Sequence, residues 1–423
     1  MKRIVLLLSL LATVAVVGAP AGGSSTTGRY NVVLEDGASL SSVLAEHRSL
    51  TGARIGHTYR HALNGYSATL PSAALSAVKA DSRVAFVSPD REARITVQAL
   101  PSGINRIDAD TSSTLAGNGS GSVNINVAVI DTGINVSHPD LNVVGGRDCA
   151  PGLGYEDGNG HGSHVAGTIA AKDDANGVVG VAPGARLYAV KVLTDAGVGL
   201  TSNIVCGIDW VTSIRTDADP NNNIAVANMS LGGGGSDDGN CGRSNADAEH
   251  LAICNSVNAG VTYVVAAGND GVNYASSTPA SYNEVLTVTA IADYNGQPGG
   301  GAASTCRSGV DDQYASFSNF AVQAADQSHT IAAPGVCIHS TYMLGLYDNT
   351  LSGTSMASPH VAGTAALCIA TGACTGGPSA VMSRLRSDAQ TYNQATASYG
   401  FNGDPARPVS GRYYGWLARA GGY

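Results

Sequence analysis

Residues 123–131 read VNINVAVID, and this stretch decides the fold of the larger part of the chain. The run is predominantly apolar, as expected of a strand that is buried on both faces of a parallel sheet. Asp131 ends the run and is followed by Thr-Gly. We therefore expect an acidic side chain directly after a buried strand, where it is costly unless it finds hydrogen-bond partners.

From about residue 104 onward, short apolar strands alternate with helical segments. Strands are predicted at residues 186–193, 224–231, 261–268 and 285–291, and helices at 163–171, 201–214, 360–370 and 378–390. This alternation predicts βαβ units and an α/β domain with a parallel sheet flanked by helices. Ligands bind such sheets beyond the carboxyl ends of the strands, so polar residues at those ends are the candidates for chemistry.

Residues 29–90 have a different pattern. Strands are predicted at 29–36, 53–61, 64–70 and 83–89, and helices at 40–50 and 71–81. The Asn64-Gly65 pair is a strong hairpin signal between the second and third strands. The order βαββαβ predicts a small ferredoxin-like α+β domain, and residues 91–103 are interpreted as a linker.

The first 21 residues resemble a signal peptide. Lys2 and Arg3 precede an apolar core at residues 4–17, and Ala19-Pro20-Ala21 fits a small-x-small cleavage site. The alternative is an uncleaved anchor helix, for which the apolar core is short. We therefore expect a secreted protein.

The composition restricts the possible partners and predicts disulfides. Residues 97–423 carry 13 basic and 26 acidic side chains, which argues against nucleic acid or anionic membranes as partners. Eight cysteines in an exported chain indicate disulfide bonds, but they allow about 105 connectivities. Short separations favour Cys241–Cys254 and Cys368–Cys374, which would leave Cys149–Cys206 and Cys306–Cys337.

Four polar residues at predicted strand ends or helix starts could carry chemistry, and each also has an ordinary structural interpretation. Asp131 could form a turn, Asn269 in VVAAGND could be a turn residue, and His161 in NGHGSH could be a satisfied structural histidine. Ser355 in SGTSMASPH could be a helix N-cap, with Pro359 in the first turn of the helix. Together they supply an acid, a base, a nucleophile and an amide donor, a set suited to acyl transfer.

Longer blocks resemble one known family. VAVIDTGI, NGHGSHVAGTIA, NMSLGG, VVAAGND, IAAPGV and SGTSMASPHVAG are similar to the signature blocks of the subtilisin-like serine proteases, in that family's order of Asp, His and Ser. The resemblance spans nearly all of residues 97–423, and residues 29–96 resemble the family's inhibitor-type propeptide. Ser163 departs from the usual Thr. Segments near 241–254 and 299–312 resemble insertions.

The resemblance implies a role for each residue. Ser355 would be the nucleophile, His161 the general base and Asp131 its partner, while Asn269 would bind the oxyanion. The implied substrate-binding segments are Ser230, Leu231 and Gly232, and Ala266, Ala267 and Gly268. The implied calcium ligands are Gln98, Asp140, Lys172, Asp174, Asn176 and Val178, which offer oxygen atoms only. A solvated acidic loop is the alternative for the calcium site, and a flexible loop is the alternative for the glycines at 232–235.

The resemblance also implies how the protein is made, processed and inhibited. The protein would be a secreted, monomeric endopeptidase that acts on polypeptides and is made as a zymogen that cleaves itself near Thr96–Val97. Its propeptide would act as an intramolecular chaperone and inhibitor, with the tail ARIT lying across the site. Two rival functions are an esterase, which would need G-x-S-x-G and another residue order, and an inactive relative that only binds.

Overall fold

The computed structural model describes residues 27–90, 98–152 and 154–423 and divides the chain into two compact units, Met1–Ile95 and Thr96–Tyr423. The predicted signal peptide at 1–21, the tail ARIT and the cleavage site at Thr96–Val97 lie outside the described residues. Among the described residues, no helix is long and apolar enough to cross a membrane.

The N-terminal unit is the predicted ferredoxin-like sandwich. Its elements are β1 (Thr27–Leu34), α1 (Leu40–His47), β2 (Arg54–Tyr59), β3 (Gly65–Pro71), α2 (Ser72–Ala80) and β4 (Val84–Pro89). The antiparallel sheet has the order β2-β3-β1-β4, so the two βαβ halves interleave. Val32 and Tyr66 of the sheet are fully buried against Val43 and Val78 of the two helices, which explains the alternation of apolar residues in β1.

The larger unit is an α/β domain. Its strands are β5 (Asn126–Asp131), β6 (Val143–Asp148), β7 (Arg186–Lys191), β8 (Ile224–Met229), β9 (Gly233–Gly234), β10 (Thr262–Ala266), β11 (Ser277–Thr278), β12 (Leu286–Ala292), β13 (Gln313–Tyr314), β14 (Thr330–Pro334), β15 (Ile338–Thr341) and β16 (Tyr347–Leu351). Its α-helices are α3 (Ser102–Arg106), α4 (His161–Ala170), α5 (Thr201–Thr216), α6 (Ala248–Asn258), α7 (Ala324–Gln327), α8 (Thr354–Ala370) and α9 (Pro378–Ala395).

Seven of these strands form a parallel sheet in the order β14-β12-β10-β8-β5-β7-β6, and β13 pairs with β12 antiparallel. The predicted fold class is therefore confirmed. β5 lies in the middle because every one of its residues is buried: Val127 and Val129 face the core under α4 and α8, and Ala128 and Ile130 face the core under α5 and α6. From β5 the chain passes to β6, returns to β7 on the same side of β5, and then crosses to β8 on the other side. This reversal of strand order makes the end of β5 a topological switch point.

Four disulfides join the eight cysteines, all of which lie in the described residues: Cys149–Cys206, Cys241–Cys254, Cys306–Cys337 and Cys368–Cys374. The pairing favoured by short separations is therefore confirmed. Each of the two segments that resemble insertions carries one of these bonds: Cys241 is joined to Cys254 in α6, and Cys306 is joined to Cys337 between β14 and β15.

Candidate active site

Asp131 and His161 are held together at the carboxyl end of β5. Asp131 is the last residue of the strand and is fully buried, and the Nδ1 atom of His161 lies 2.7 Å from its Oδ1 atom. The backbone N–H of Thr132 donates to the same oxygen at 2.7 Å. The side chain of His161 keeps 27% exposure, so the edge of the ring away from Asp131 is open to a ligand.

His161 is the first residue of α4, and two features of the preceding loop place it there. Gly160 has a φ of 102°, in the left-handed region that favours glycine, and a Cβ atom there would collide with the ring of Tyr342. Burial disfavours the imidazolium form, but the negative charges of Asp131 and Asp157 outweigh it, so the pKa of His161 is raised. The ring therefore suits a group that accepts a proton near neutral pH.

Asp157 organises this corner of the site, although its sequence context gave no role to it. Its buried carboxylate accepts hydrogen bonds from Thr132 Oγ1 (2.9 Å), from the backbone N–H groups of Asn159, Gly160 and Ser163 (2.9 Å each), and from Ser163 Oγ (2.6 Å). It thus joins the residue after Asp131 to the first turn of α4. An acid four residues before the helix start was the available signal, because acceptors are favoured there.

Ser355 is the second residue of α8, and its N-cap is Gly353. The interpretation of Ser355 as the N-cap is therefore wrong. Within the described part of the chain, its Oγ atom donates to the carbonyl of Ser230 at 3.2 Å and forms no hydrogen bond with His161. Catalytic hydrogen bonds are often long or misaligned without substrate, and rotation about χ1 would redirect this hydroxyl.

Pro359 is not in the first turn of α8 as predicted, because the helix begins five residues earlier, at Thr354. A proline at this position has no N–H to donate to the carbonyl of Ser355, four residues before it. The Oγ atom of Ser230 donates to that carbonyl instead, at 2.8 Å. The proline thus frees a helix carbonyl for a bond to the segment that follows β8.

A buried chain of hydrogen bonds extends from this contact. Asn228 Nδ2 donates to Ser230 Oγ (2.9 Å), and Ser358 Oγ donates to Asn228 Oδ1 (2.7 Å). Asn228 and Ser358 are fully buried. The end of β8 and the first turns of α8 are therefore fixed to each other on both sides of Ser355, by two residues that sequence patterns did not single out.

Asn269 lies just beyond β10 with its amide orientation fixed by Thr354. The Oδ1 atom of Asn269 accepts from Thr354 N–H (2.8 Å) and Thr354 Oγ1 (3.0 Å), while Nδ2 has no partner among the residues that the structure describes. A Cβ atom built on Gly353 would lie 3.4 Å from Asn269 Nδ2 and 3.6 Å from the backbone nitrogen of Ser355. Since Gly353 has no Cβ, two donors face one open space, as an oxyanion hole requires.

Two adjoining cavities flank these residues and share Leu231 and Gly232. The larger, of about 440 Å³, is lined by the predicted residues Ala266, Ala267 and Gly268, and by Asn269 and Ser355; the smaller, of about 370 Å³, is lined by Ser230 and His161. All six predicted substrate-binding residues thus line one cavity or the other. Asp270 is the one acidic or basic residue of the larger cavity, whose other lining residues are small or polar apart from Leu231.

The six predicted calcium ligands converge in part on one point. Gln98 Nε2 lies 2.7 Å from the carbonyl of Lys172 and 3.2 Å from those of Asn176 and Val178, so three carbonyl oxygens face one small volume. Gln98 Oε1 and Asp140 Oδ1 are buried there without a partner in the described residues, and burial raises the pKa of Asp140 to about 6. When the amide of Gln98 is rotated by 180°, its oxygen faces the three carbonyls in place of its nitrogen, and this set of oxygen atoms fits a calcium ion. Asp174 is exposed and accepts from Asn176 N–H at 3.2 Å.

Comparison with known proteins covers both units. A model described as the subtilase family matches residues 122–402, and one described as peptidase inhibitor I9 matches residues 25–96. Subtilisin E of Bacillus subtilis (strain 168) is 38% identical over 82% of this chain and 82% of its own, and subtilisin DY of Bacillus licheniformis is 41% identical over 64% of this chain and 85% of its own. The solved structure of a cold-adapted subtilisin-like serine proteinase covers 75% of this chain and 97% of its own, with 29% identity and a TM-score of 0.54.

Proposed function

Because this chain belongs to the subtilase family and is a serine endopeptidase made as a zymogen, we propose that Ser355, His161 and Asp131 form its catalytic triad. Ser355 Oγ attacks the carbonyl carbon of the scissile peptide bond and its proton passes to Nε2 of His161. Asp131 holds the other ring nitrogen and stabilises the imidazolium that forms. His161 then gives the proton to the leaving amine, and water hydrolyses the acyl-enzyme by the same steps in reverse order.

Asn269 and the N-terminus of α8 stabilise the tetrahedral intermediate in this proposal. The developing oxyanion takes hydrogen bonds from Asn269 Nδ2 and from the backbone N–H of Ser355. The positive end of the helix dipole of α8 favours the same negative charge. The substrate adds as a strand alongside Ser230–Gly232 and Ala266–Gly268, where backbone pairing gives affinity and the two cavities read side chains.

One observation supports the assignment most strongly: the Asp131–His161 pair and the Ser355–Asn269 pair both adjoin cavities that share Leu231 and Gly232. A fluorophosphonate probe tests it. We expect labelling of Ser355 in the wild type, and none in Ser355→Ala, which should accumulate as uncut precursor. Ser379→Ala, an exposed serine of α9, is the matched control and should process and label normally. Self-processing by Ser355→Ala would show that the nucleophile is another residue.

We further propose secretion and self-cleavage near Thr96–Val97, with the N-terminal unit released as an inhibitor of its own enzyme. The support is the signal-like composition of residues 1–21 and the match of residues 25–96 to the peptidase inhibitor I9 model. N-terminal sequencing of enzyme recovered from the medium measures both cleavages. A mature N-terminus beyond residue 110 would contradict the assignment.

We propose calcium as a structural ion held by Gln98, Asp140, Asp174 and the carbonyls of residues 172, 176 and 178. A bound divalent cation would stabilise the loop that closes over Asp140 by neutralising its buried charge. Chelation of the inhibited wild-type enzyme should lower the thermal midpoint, and Asp140→Asn should lower it without chelator and abolish the response. Asp209→Asn, an exposed acid on α5, should keep the full response. An equal response in Asp140→Asn would place the ion elsewhere.

A further inference from the structure

The segment at residues 299–312 contacts the chain that leads into α8, the helix that carries Ser355. Its Cys306 is bonded to Cys337, which lies in the loop between β14 and β15. The backbone N–H of Cys306 donates to Cys337 Sγ (3.1 Å), and the Sγ atom of Cys306 contacts the carbonyl of Thr350 at 3.3 Å. The disulfide therefore contacts the strand that leads into α8.

The residues beside the disulfide bond directly to the segment before the nucleophile. The N–H of Cys337 donates to Ser352 Oγ at 3.0 Å, and the N–H of Gly353 donates to the carbonyl of Gly335 at 2.8 Å. Gly353 is the N-cap of α8 and borders the space between the two donors of the proposed oxyanion hole. A shift of residues 335–337 is therefore transmitted to both Gly353 and Ser355.

The two ends of the segment at residues 299–312 are held by hydrogen bonds. The backbone N–H groups of Gly299 and Gly300 donate to Asp312 Oδ2 (2.6 and 2.8 Å). The other oxygen of Asp312 accepts from the fully buried guanidinium of Arg106, at 2.9 Å from Nε and 2.8 Å from Nη2. Cys337 has a φ of 54°, a conformation costly for a residue with a side chain, so its loop needs an outside constraint to hold this shape.

We propose that the Cys306–Cys337 disulfide is a positioning element that holds the oxyanion space in its catalytic geometry. The inference rests on the proposed roles of Ser355 and Asn269. Preorganised donors act on the transition state far more than on the bound substrate. Loss of the disulfide should therefore lower kcat and leave KM nearly unchanged, which a purely stabilising crosslink would not do.

The test compares two double variants as mature enzymes, well below their thermal midpoints. Cys306→Ala/Cys337→Ala should lower kcat about tenfold, keep KM within about twofold and weaken a peptide boronate inhibitor about tenfold, because the boronate adduct occupies the oxyanion space. Cys368→Ala/Cys374→Ala removes the disulfide at the other end of α8, about 20 Å from Ser355, and should keep all three within about twofold. Unchanged kcat and boronate affinity in the folded first variant would overturn the proposal.

A second measurement needs no variant and serves if the first variant fails to mature. Cys306 is the one half-cystine among the eight that is exposed, so mild dithiothreitol should reduce its bond first, giving two thiols and the cyclic disulfide of the reagent. Alkylation and mass spectrometry then relate activity to the bond cleaved. Full activity in molecules alkylated at Cys306 and Cys337 would refute the positioning role of the disulfide. Fluorophosphonate labelling of the untreated enzyme at a residue other than Ser355 would instead refute the proposed function itself.

Discussion

Asp157→Asn perturbs His161, the general base of the proposed triad, without replacing any residue of the triad. The carboxylate of Asp157 accepts five hydrogen bonds, three at Oδ1 from Thr132 Oγ1 and the N–H groups of Asn159 and Gly160, and two at Oδ2 from the N–H and Oγ of Ser163. Asparagine keeps the shape and the three bonds at Oδ1. At the second position an amide nitrogen faces two donors, and the negative charge is lost.

The cost follows from those bonds. The hydroxyl of Ser163 can rotate to accept from the new amide, but the Ser163 N–H cannot, and an unpaired buried donor costs about 1–3 kcal/mol. The three remaining bonds lose the strengthening that a charged acceptor gives, about 1 kcal/mol each at most. We expect a loss of about 3–5 kcal/mol, which lowers the thermal midpoint of a unit of this size by about 4–7 °C. Unfolding is followed on enzyme inactivated with a fluorophosphonate, so that self-digestion does not interfere.

The pH profile gives an independent readout. The charge of Asp157 helps to raise the pKa of His161, so its removal lowers that pKa. A base with a lower pKa is free of its proton at lower pH, and the acid limb of kcat/KM against pH should move toward lower pH. Glu156→Gln removes the same charge one residue away, where the side chain is exposed, and should not move the limb appreciably. It is a control for the pH profile only, because Glu156 accepts hydrogen bonds of its own from Asn135 Nδ2 and the N–H of Val136. Matching profiles for wild type and Asp157→Asn would refute the role assigned to Asp157.

Three further predictions concern other contacts. Thr354→Val removes one of the two bonds that orient the amide of Asn269, together with the bond from the N–H of Gly268, and should lower kcat about tenfold, measured on a peptide substrate. Asn269→Ala should lower kcat by about 10²–10³, the range known for loss of the corresponding donor in subtilisin, and an intact kcat would exclude Asn269 from the oxyanion hole. Burial opposes the charged form of His250, but its hydrogen bond to Glu284 outweighs this and raises its pKa, while the same bond lowers the pKa of Glu284. The pair therefore stabilises the fold most between about pH 4.5 and 6.5. This stabilisation is lost as pH rises through the folded pKa of His250 or falls through the folded pKa of Glu284. Glu284→Gln should therefore lower the urea midpoint of the inhibited enzyme most in that window and least at alkaline pH.

The sheet could be predicted where the sequence carries a local signal. β5 was evident because a strand buried on both faces has to be apolar almost throughout. β6 was not, since its sequence VVGGRD is half exposed and contains two glycines, which weaken any strand signal. α6 was also missed, because AEHLAICNSVN lies beside a cysteine-bearing insertion and shows no strong apolar stripe.

The residues of the candidate site were also predictable from the sequence only where a local signal exists. Asp131, His161, Asn269 and Ser355 could be named because their residue types and strand-end positions suggest chemistry. Their supports could not, because each acts through partners far away in the chain: Ser358 bonds to Asn228 across 130 residues. Thr354 and Asp157 look like ordinary helix-start residues, and only the fold reveals which side chains they hold.

The N-terminus of α8 shows why a helix start suits a nucleophile only in one register. Had Ser355 been the N-cap, its Oγ atom would accept a backbone N–H and would be less available to attack a carbonyl. Gly353 takes the N-cap position instead, and a glycine has no side chain that could accept a backbone N–H. In the described part of the chain, no group accepts a hydrogen bond from the N–H of Ser355. That N–H is one of the orphan donors that every helix has in its first turn. The register that keeps the hydroxyl of Ser355 from capping the helix therefore also leaves its N–H for the oxyanion, so a shift of one residue in the start of α8 would remove both functions at once.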